Sequence, residues 1–539
     1  MHRKMAGPGS AKEIGRPTHA GAGPRCPALS AAFSTLPPPM KRFASLLALL
    51  GAAAAAGCGG DKAVSPLDEG LSYLPKNAPF ALAIDTNTSG EQYKSLGKIL
   101  RRFPFGGQVR ESLQRQLEEN GRVSFQRDVK PLLGNQFVVG GVNPRSVTDG
   151  RQDDEFVGAL QVKDKGKLES LVKKQGAKED GDRGGAKLYR DKDGDPFAIK
   201  DDVLVVAGSR KLLEGALERR DGKDHLNLDA FGNALGDLPK DHLLTVYADL
   251  AGLIRSDPDT RDARRVKWVN ALTTLGATAQ ARDEALNIEF KVNTRGGLKE
   301  SDLPVASGDL APGVVERAGD IGLGIRDPAQ AVKFAEAAGQ AVDPSGYGQY
   351  TAGKRRVQAR YKTNLDRDVI EQLKGNTATT VSVDGKFATR AEVQDPAKMK
   401  RTLAKLAPAL PQLLASGGNG GVKLAKPTKS QGFYELAGPR GQSVVFGVVG
   451  KALVVANDPT RARQVAAKSP TTVSDAKGAV VLKANAERVA DRLLRTLGPR
   501  LGVGGLFGGR MLTAPLGELT GSLTSGLGGM SGKLTLKVD

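Results

Sequence analysis

Segments in which apolar and polar residues alternate recur along the chain and predict β-strands. In residues 287–292, Asn-Ile-Glu-Phe-Lys-Val, every second side chain is apolar, so one face of such a strand is buried and the other is in water. This alternation favours antiparallel sheets with helices on one side. Three strand-like segments are followed by an Asp-Pro pair, which predicts a helix with Asp as its N-cap and Pro in its first turn. The pairs are Asp327-Pro328, Asp395-Pro396 and Asp458-Pro459. The pattern therefore predicts an α+β fold in which helices pack on mainly antiparallel sheets.

The strand-like segments occur twice, in the same order. Four segments of the first half have counterparts about 230 to 250 residues later. The matched pairs are residues 135–140 and 375–383, 156–164 and 387–395, 203–207 and 452–456, and 286–292 and 534–538. An ordered series of matches indicates an internal repeat. It predicts two diverged tandem domains, at residues 74–295 and 305–539; the alternative is two α+β halves that are merely similar.

An apolar segment near the N-terminus has the layout of a secretory signal peptide. Met40-Lys41-Arg42 is a basic start, and residues 43–56 are uncharged and mostly apolar. Small residues before a cleavage point complete the layout. The sequence Ala55-Ala56-Gly57-Cys58 resembles the lipobox of bacterial lipoproteins, although Leu is commoner where Ala55 stands. The resemblance implies cleavage between Gly57 and Cys58 and attachment of a diacylglyceryl group to the Cys58 thiol.

The segments around this signal peptide, residues 40–57, are assigned from their composition. The apolar stretch of 14 residues is short for a membrane span, which needs about 20; a plain secretory signal and a retained anchor helix remain the alternatives. For residues 1–39, either translation begins at Met40 or the segment is a disordered extension, and in both cases it is excluded from the fold. Residues 58–73 begin with small, polar and charged side chains, which predicts a flexible tether.

The chain is basic, with 79 Lys and Arg residues against 59 Asp and Glu residues and a formal charge of +20. Two basic stretches stand out, residues 261–267 and 354–360. Positive surface attracts phosphate of any kind, but nucleic-acid binding usually adds aromatic stacking platforms. Aromatic residues make up only 5% of the chain, so no nucleic-acid partner is expected. Anionic envelope lipids or wall polymers are the expected partners of these stretches, and a generally basic, solvated surface is the alternative.

Catalytic motifs are missing from the sequence. It contains no G-x-S-x-G nucleophile motif, no H-E-x-x-H motif and no C-x-x-C motif, which are signatures of hydrolases and metal sites. His225 and His242 each follow an aspartate, but neighbouring strand residues point to opposite faces of a sheet. Structural histidines are therefore expected rather than a catalytic triad.

Two loop motifs are also incomplete. Residues 191–195 resemble the start of a calcium loop, but Pro196 stands where that loop needs Gly, so a charged turn between two strands is expected. Residues 348–354 have the spacing of a P-loop, but Arg355 replaces the Ser or Thr that holds magnesium. We therefore predict no catalytic residue, no metal site, no cofactor and no enzymatic activity.

Residues 493–532 mix apolar residues with glycine and carry no charge between Arg500 and Arg510. Glycine destabilises helices and allows close approach of the backbone. The segment is interpreted as an apolar flap over a groove or as a membrane-contacting loop, with Leu506 and Phe507 as candidate contacts for an apolar ligand. A surface loop before the last strands is the alternative.

The start of the first predicted domain resembles a known bacterial family. Residues 74–85, Leu-Pro-Lys-Asn-Ala-Pro-Phe-Ala-Leu-Ala-Ile-Asp, are similar to the opening of the domain-of-unknown-function family DUF3352. Leu-Leu-Gly at residues 132–134, the strand from Val203 and the segment 238–249 fit the same family. The resemblance implies an exported or membrane-attached protein and carries over no functional residue.

Together these patterns predict a lipid-anchored, extracytoplasmic protein of the bacterial cell envelope. It would be exported and held by the Cys58 lipid on the outer face of the cytoplasmic membrane. A non-catalytic binding or scaffold role is the main hypothesis, because no set of catalytic groups was found. A carrier of an apolar or lipid-like ligand is the first alternative, and an enzyme of unrecognised type is the second.

Overall fold

The computed structural model describes residues 65–104, 123–148, 155–315, 320–410, 428–430, 432–437, 443–501 and 513–539. Helices and a large antiparallel sheet account for most of these residues, so the chain has an α+β fold and that prediction is confirmed. The strands of the first half are β1 (Phe80–Asp85), β2 (Gln136–Gly141), β3 (Phe156–Gln161), β4 (Lys178–Arg183), β5 (Ala186–Arg190), β6 (Pro196–Lys200), β7 (Val203–Ala207), β8 (Leu244–Asp249), β9 (Leu272–Arg282) and β10 (Ala285–Thr294).

The second half contributes ten more described strands. They are β11 (Ile321–Arg326), β12 (Asn376–Val381), β13 (Phe387–Glu392), β14 (Thr428–Ser430), β15 (Phe433–Ala437), β16 (Ser443–Val449), β17 (Ala452–Ala456), β18 (Val480–Asn485), β19 (Leu516–Gly526) and β20 (Gly529–Val538).

The described helices connect these strands. They are α1 (Pro66–Leu71), α2 (Glu91–Arg102), α3 (Pro144–Thr148), α4 (Lys165–Lys174), α5 (Arg210–Asp221), α6 (Leu228–Leu235), α7 (Leu250–Ser256), α8 (Lys267–Ala271), α9 (Pro328–Val342), α10 (Pro344–Tyr361), α11 (Leu365–Asp368), α12 (Pro396–Leu406), α13 (Pro459–Ala467) and α14 (Ala486–Leu501). Helices α4 and α12 follow the matched segments 156–164 and 387–395, and both are rich in lysine.

Strand order is the same in the two halves. In the first half the strands pair antiparallel in the order β4-β5-β6-β7-β3-β2-β1-β8-β9-β10. In the second half the order is β14-β15-β16-β17-β13-β12-β11-β18-β19-β20. The strands that contain the four sequence matches therefore occupy equivalent positions in the two halves.

The two halves share one sheet. Strand β10 pairs antiparallel with β20, from Ala285 opposite Lys537 to Asn293 opposite Gly529. Glu289 faces Lys533 across this pair, with a charged contact of 3.4 Å, and the Thr535 hydroxyl donates to the Asn287 side chain at 2.8 Å. This pairing joins the two ten-strand halves edge to edge, so the described strands form a single sheet of twenty.

Both faces of the sheet are covered in the first half, which corrects the expectation of helices on one side only. Val138 packs in a buried cluster with residues of α5 and α6, whereas its neighbour Val139 packs in a second cluster with residues of α4. The physical reason lies in strands such as β3, Phe-Val-Gly-Ala-Leu-Gln, in which five consecutive residues are buried. Because a continuous apolar run places apolar side chains on both faces of the strand, both faces of the sheet must be buried by packed helices.

The prediction of a flexible tether over residues 58–73 is wrong for residues 65–73; residues 58–64 lie outside the described part of the chain. Helix α1 begins at Pro66, and the Ser65 hydroxyl oxygen accepts the backbone N–H of Asp68 at 3.2 Å. Leu71 and Tyr73 are fully buried in the first-half core. Residues before Leu74 therefore belong to the folded body, because their apolar side chains complete its core.

The Asp-Pro pairs do precede helices, but only two of the three act as predicted. Asp395 and Asp458 accept the backbone N–H of the residue three positions later, at 2.8 and 2.9 Å. Asp327 instead has a left-handed backbone conformation with φ of 45° and makes no capping hydrogen bond. Helix α9 therefore begins without the predicted side-chain cap.

An aspartate holds the same structural position in each half. Asp128 accepts the backbone N–H of Ser124 at 2.8 Å and contacts the Lys174 ammonium at 2.6 Å. Asp368 accepts the N–H of Asn364 at 2.9 Å and contacts the Lys398 ammonium at 3.2 Å. Each follows an arginine whose guanidinium contacts it. The strand pattern did not reveal this motif, although the triplet Arg-Asp-Val, at residues 127–129, recurs at residues 367–369.

These contacts predict a loss of stability in acid. Hydrogen bonds from Lys174 and from the Ser124 N–H lower the pKa of Asp128 from 3.8 to about 2, and the Arg367 contact lowers the pKa of Asp368. Because the folded-state pKa is lowered, the stabilisation is complete above about pH 4 and is lost as the pH falls toward 2. We expect Asp128→Asn to lower the free energy of unfolding by about 1–2 kcal/mol at pH 7, and by less at pH 3.

Urea unfolding at the two pH values measures this difference. The matched control is Asp182→Asn, which removes an exposed carboxylate from β4. A loss for Asp128→Asn that is the same at pH 3 and pH 7 contradicts the charged role of this group.

Candidate binding surface

The residues predicted to carry lipidation and ligand contact lie outside the described part of the chain. These are Gly57 and Cys58 at the cleavage point, and Leu506 and Phe507 in the glycine-rich segment. Of the wider segment 493–532, residues from Leu516 onward form most of the β19–β20 hairpin rather than a loop. The interpretation as a flap or surface loop is therefore wrong for that part, because its alternating residues pair along two long strands.

The two histidines are held by the fold. His225 pairs with Pro75 in an isolated β-bridge, and the His242 Nδ1 lies 3.0 Å from the Pro239 carbonyl oxygen. Asp241, beside His242, accepts a hydrogen bond from the Gln92 amide at 3.0 Å. Burial raises the pKa of nearby Asp85, whose carboxylate accepts the Asn87 N–H. Among the described contacts, no imidazole is hydrogen-bonded to a carboxylate, as a catalytic triad requires.

The two incomplete loop motifs have structural roles. Asp191 accepts the N–H groups of Asp193 and Asp195, at 2.9 and 2.8 Å, and so closes the turn between β5 and β6. The predicted charged turn is confirmed. The segment with P-loop spacing, residues 348–354, lies inside helix α10. Its backbone N–H groups are therefore used by the helix and do not form a phosphate cradle.

One shallow cavity of about 280 Å³ lies along α14, lined by Val383, Glu487, Arg488, Asp491, Arg492 and Arg495. Its cations are paired within the protein. Arg488 contacts the buried Asp320 at 2.7 Å, and Arg495 contacts Asp491 at 2.7 Å. In the described residues no group of three His, Cys, Asp or Glu side chains is placed to hold a metal ion. This cavity therefore offers little uncompensated charge to a ligand.

Helices α9 and α10 form a hairpin that presents a different surface. The Asp343 side chain accepts the Gly346 N–H at 2.9 Å and caps α10 directly after α9 ends. Near its start, α9 is fixed to the preceding segment, because the Gln330 amide donates to the Glu300 and Leu303 carbonyls at 2.8 and 2.9 Å.

The single tryptophan attaches this hairpin to the first half. Trp268 of α8 meets Phe334 of α9 edge to face, with ring centroids 6.4 Å apart. The Arg265 guanidinium donates to the Ala341 carbonyl at 3.5 Å. One of the two predicted basic stretches, residues 261–267, therefore contacts α9, and two of its cations face carboxylates, Arg265 at Asp262 and Lys267 at Asp302.

Lys354 fastens α10 to its neighbours. Its ammonium contacts Glu336 of α9 at 3.0 Å and also pairs with Asp366 of α11. The Tyr350 hydroxyl donates to the same Glu336 carboxylate at 2.6 Å. Burial and this hydrogen bond raise the pKa of Tyr350 to about 12. Burial alone would lower the pKa of Lys354, but the carboxylates of Glu336 and Asp366 raise it overall. Lys354 thus has a structural role and is not a free binding group.

The outer face of α10 is basic and open. Arg355, Arg356, Arg360 and the following Lys362 are exposed, and residues 344–361 contain no Asp or Glu. Among the described ion pairs none involves these four side chains; the guanidinium of Arg360 lies 5.5 Å from the centre of the Tyr361 ring. We name the group of Arg355, Arg356 and Arg360 the α10 basic face. The sequence indicated the basic stretch, but the separation of Lys354 from the arginines appears only on the helix.

Comparison with known proteins gives one family. The family model described as "Protein of unknown function (DUF3352)" matches residues 43–412. No curated protein matches the chain significantly. Crystal form III of TP0453 is similar over 44% of this chain and 82% of that chain, at 10% identity and a TM-score of 0.25. Crystal form I of TP0453 is similar over 43% of this chain and 80% of that chain, at 11% identity and the same TM-score of 0.25. At such TM-scores the likeness carries no argument. No helix among the described residues has the length and apolar character needed to cross a membrane.

Proposed function

Since this chain belongs to the DUF3352 family, we propose that it is a lipid-anchored, non-catalytic protein of the bacterial cell envelope with a binding or scaffold role. The signal-like segment 40–57 and Cys58 after it support export and anchoring on the outer face of the cytoplasmic membrane. In this proposal the Cys58 thiol accepts a diacylglyceryl group.

The observation that carries the binding role is the contrast between the histidine sites and the α10 basic face. The polar groups around His242 and Asp241 are engaged by the backbone and by neighbouring side chains. The arginines of the α10 basic face are exposed, and no described carboxylate pairs with them. Groups held by the fold stabilise it, whereas exposed cations without partners are available to an anionic partner.

We further propose that residues 74–295 and 305–539 are diverged tandem units, the first of which also includes residues 65–73. The equal strand orders and the recurrence of the Arg-Asp-Val contacts support this interpretation. The β10–β20 pairing makes the two units one continuous scaffold.

A specific observation favours the carrier alternative. Across β9, β10, β20 and β19 one face carries apolar side chains, and Ile288 at its centre is 45% exposed. The Phe290 ring lies over Gly532, and Leu534 lies over Gly521. An open apolar surface of this kind suits a lipid-like ligand, so this face, rather than Leu506 and Phe507, is the described candidate for such a ligand.

Metabolic labelling with a radioactive fatty acid tests the anchor. In a bacterial host we expect the full-length chain to incorporate the label and to fractionate with membranes. Cys58→Ser is expected to abolish incorporation, because no other group in that position forms the thioether. Cys26→Ser, which removes the only other cysteine of the chain, is the matched control and is expected to keep the label. Label that persists in Cys58→Ser contradicts the proposal.

A further inference from the structure

We infer that the α10 basic face docks on an anionic lipid bilayer and so fixes the orientation of the protein relative to the membrane. This inference rests on the proposed function and names the partner of that surface. It concerns Arg355, Arg356 and Arg360, all on the last two turns of the longest described helix.

The helix geometry directs these arginines away from the protein. Val357 is buried, and Tyr350 and Lys354 contact Glu336. At 100° per residue, positions 350, 354, 357 and 361 lie on one side of the helix. Arg355, Arg356 and Arg360 lie on the remaining surface, with Arg356 and Arg360 one turn apart. The inner contacts fix the helix, and the three guanidinium groups share its outer face.

Uncompensated charge distinguishes this face from the arginine cluster of α14. Glu336 of α9 and Asp366 of α11 both contact Lys354 rather than these arginines. In contrast, Arg488 and Arg495 of α14 have carboxylate partners at 2.7 Å. A cation without a partner gains the full attraction of an anionic surface, which is worth about 1 kcal/mol for each Lys or Arg near the membrane.

The proposed anchor makes a bilayer the favoured anionic partner. Only seven residues lead from Cys58 to Ser65, the first residue that the structure describes. Even fully extended, they reach roughly 25 Å, so a lipid on Cys58 holds the body beside the headgroups at high effective concentration.

Vesicle sedimentation of the chain from Gly59 onward tests this surface. That chain keeps every described residue and contact but has no acyl group, so the result is independent of whether Cys58 is lipidated. We expect binding to vesicles of equal parts phosphatidylglycerol and phosphatidylcholine, but not to phosphatidylcholine alone. The triple change Arg355→Gln, Arg356→Gln and Arg360→Gln is expected to lower the partition coefficient roughly 100-fold, from the same value per residue.

The matched control is Lys165→Gln, Lys167→Gln and Lys173→Gln on α4, whose lysines are exposed. It changes the net charge equally and is expected to lower partitioning less than about threefold. Far-UV circular dichroism and Trp268 fluorescence verify that all variants are folded. Equal losses in the two triple variants, or full binding by the α10 variant, overturn the inference. So does arginine-dependent binding to soluble poly(glycerol phosphate) without binding to the anionic vesicles, which would assign the face to a wall polymer.

Discussion

Phe231→Ala is expected to lower the free energy of unfolding by about 3–5 kcal/mol, the range for removal of a buried aromatic side chain. Phe231 lies on α6, is 1% exposed, and stacks on Tyr247 of β8 with ring centroids 6.0 Å apart. It belongs to the cluster that covers one face of the first-half sheet. Truncation leaves a cavity between the helix and the strands, which rigid neighbours fill only in part.

Urea unfolding followed by far-UV circular dichroism measures this loss. Leu228→Ala is the matched control, because Leu228 lies on the same helix but is 37% exposed. We expect the control to cost less than about 1 kcal/mol. Similar losses for the two variants would show that α6 does not pack through Phe231 in the way described.

Many strand positions were predictable because the pattern of apolar residues and its recurrence are read directly from the sequence. Residues 287–292 alternate strictly and form most of β10, and the repeated segments at 203–207 and 452–456 are β7 and β17. The β10–β20 junction was not predictable in the same way. Its partners lie more than 230 residues apart, and Glu289 opposite Lys533 becomes a meaningful pair only when the register is known.

The helices covering both faces could be inferred only in part. Strand β3 is a continuous apolar run, which fits a doubly covered strand as well as a buried helix. The burial of Leu71 and Tyr73 was hidden because the residues just before them are polar and resemble a linker. Tertiary packing, rather than local composition, decides where the folded body begins.

The candidate binding surface could also be predicted only in part. The basic composition of residues 354–360 was visible in the sequence. The separate roles of these cations could not be predicted, because Gly348 and Gly353 disfavour a helix and the spacing from Gly348 to Lys354 is that of a phosphate loop. Once α10 is formed, Lys354 turns inward to Glu336 while Arg355 and Arg356 stay outside. The helical period therefore separates one structural cation from the cations available for binding.

The junction between the halves gives the second large effect, at Gly529. This residue begins β20, has φ of +139°, and pairs with Asn293 of β10. A Cβ atom there would overlap the Val292 carbonyl oxygen. We expect Gly529→Ala to destabilise the protein by about 3 kcal/mol or more, because alanine disfavours this backbone conformation and the clash falls on another strand rather than on a flexible side chain.

Gly526 provides the control, since it pairs with Gly529 across the same hairpin and a Cβ atom added to it would meet no other atom within 4 Å. Gly526→Ala is expected to change the free energy of unfolding by less than about 1 kcal/mol. Denaturation is followed by circular dichroism and by the fluorescence of Trp268, which reports on the contact between α8 and α9. If the halves form one scaffold through β10 and β20, Gly529→Ala lowers the denaturation midpoint measured by both probes. An unchanged midpoint for both probes would show that the two strands are not joined in this register.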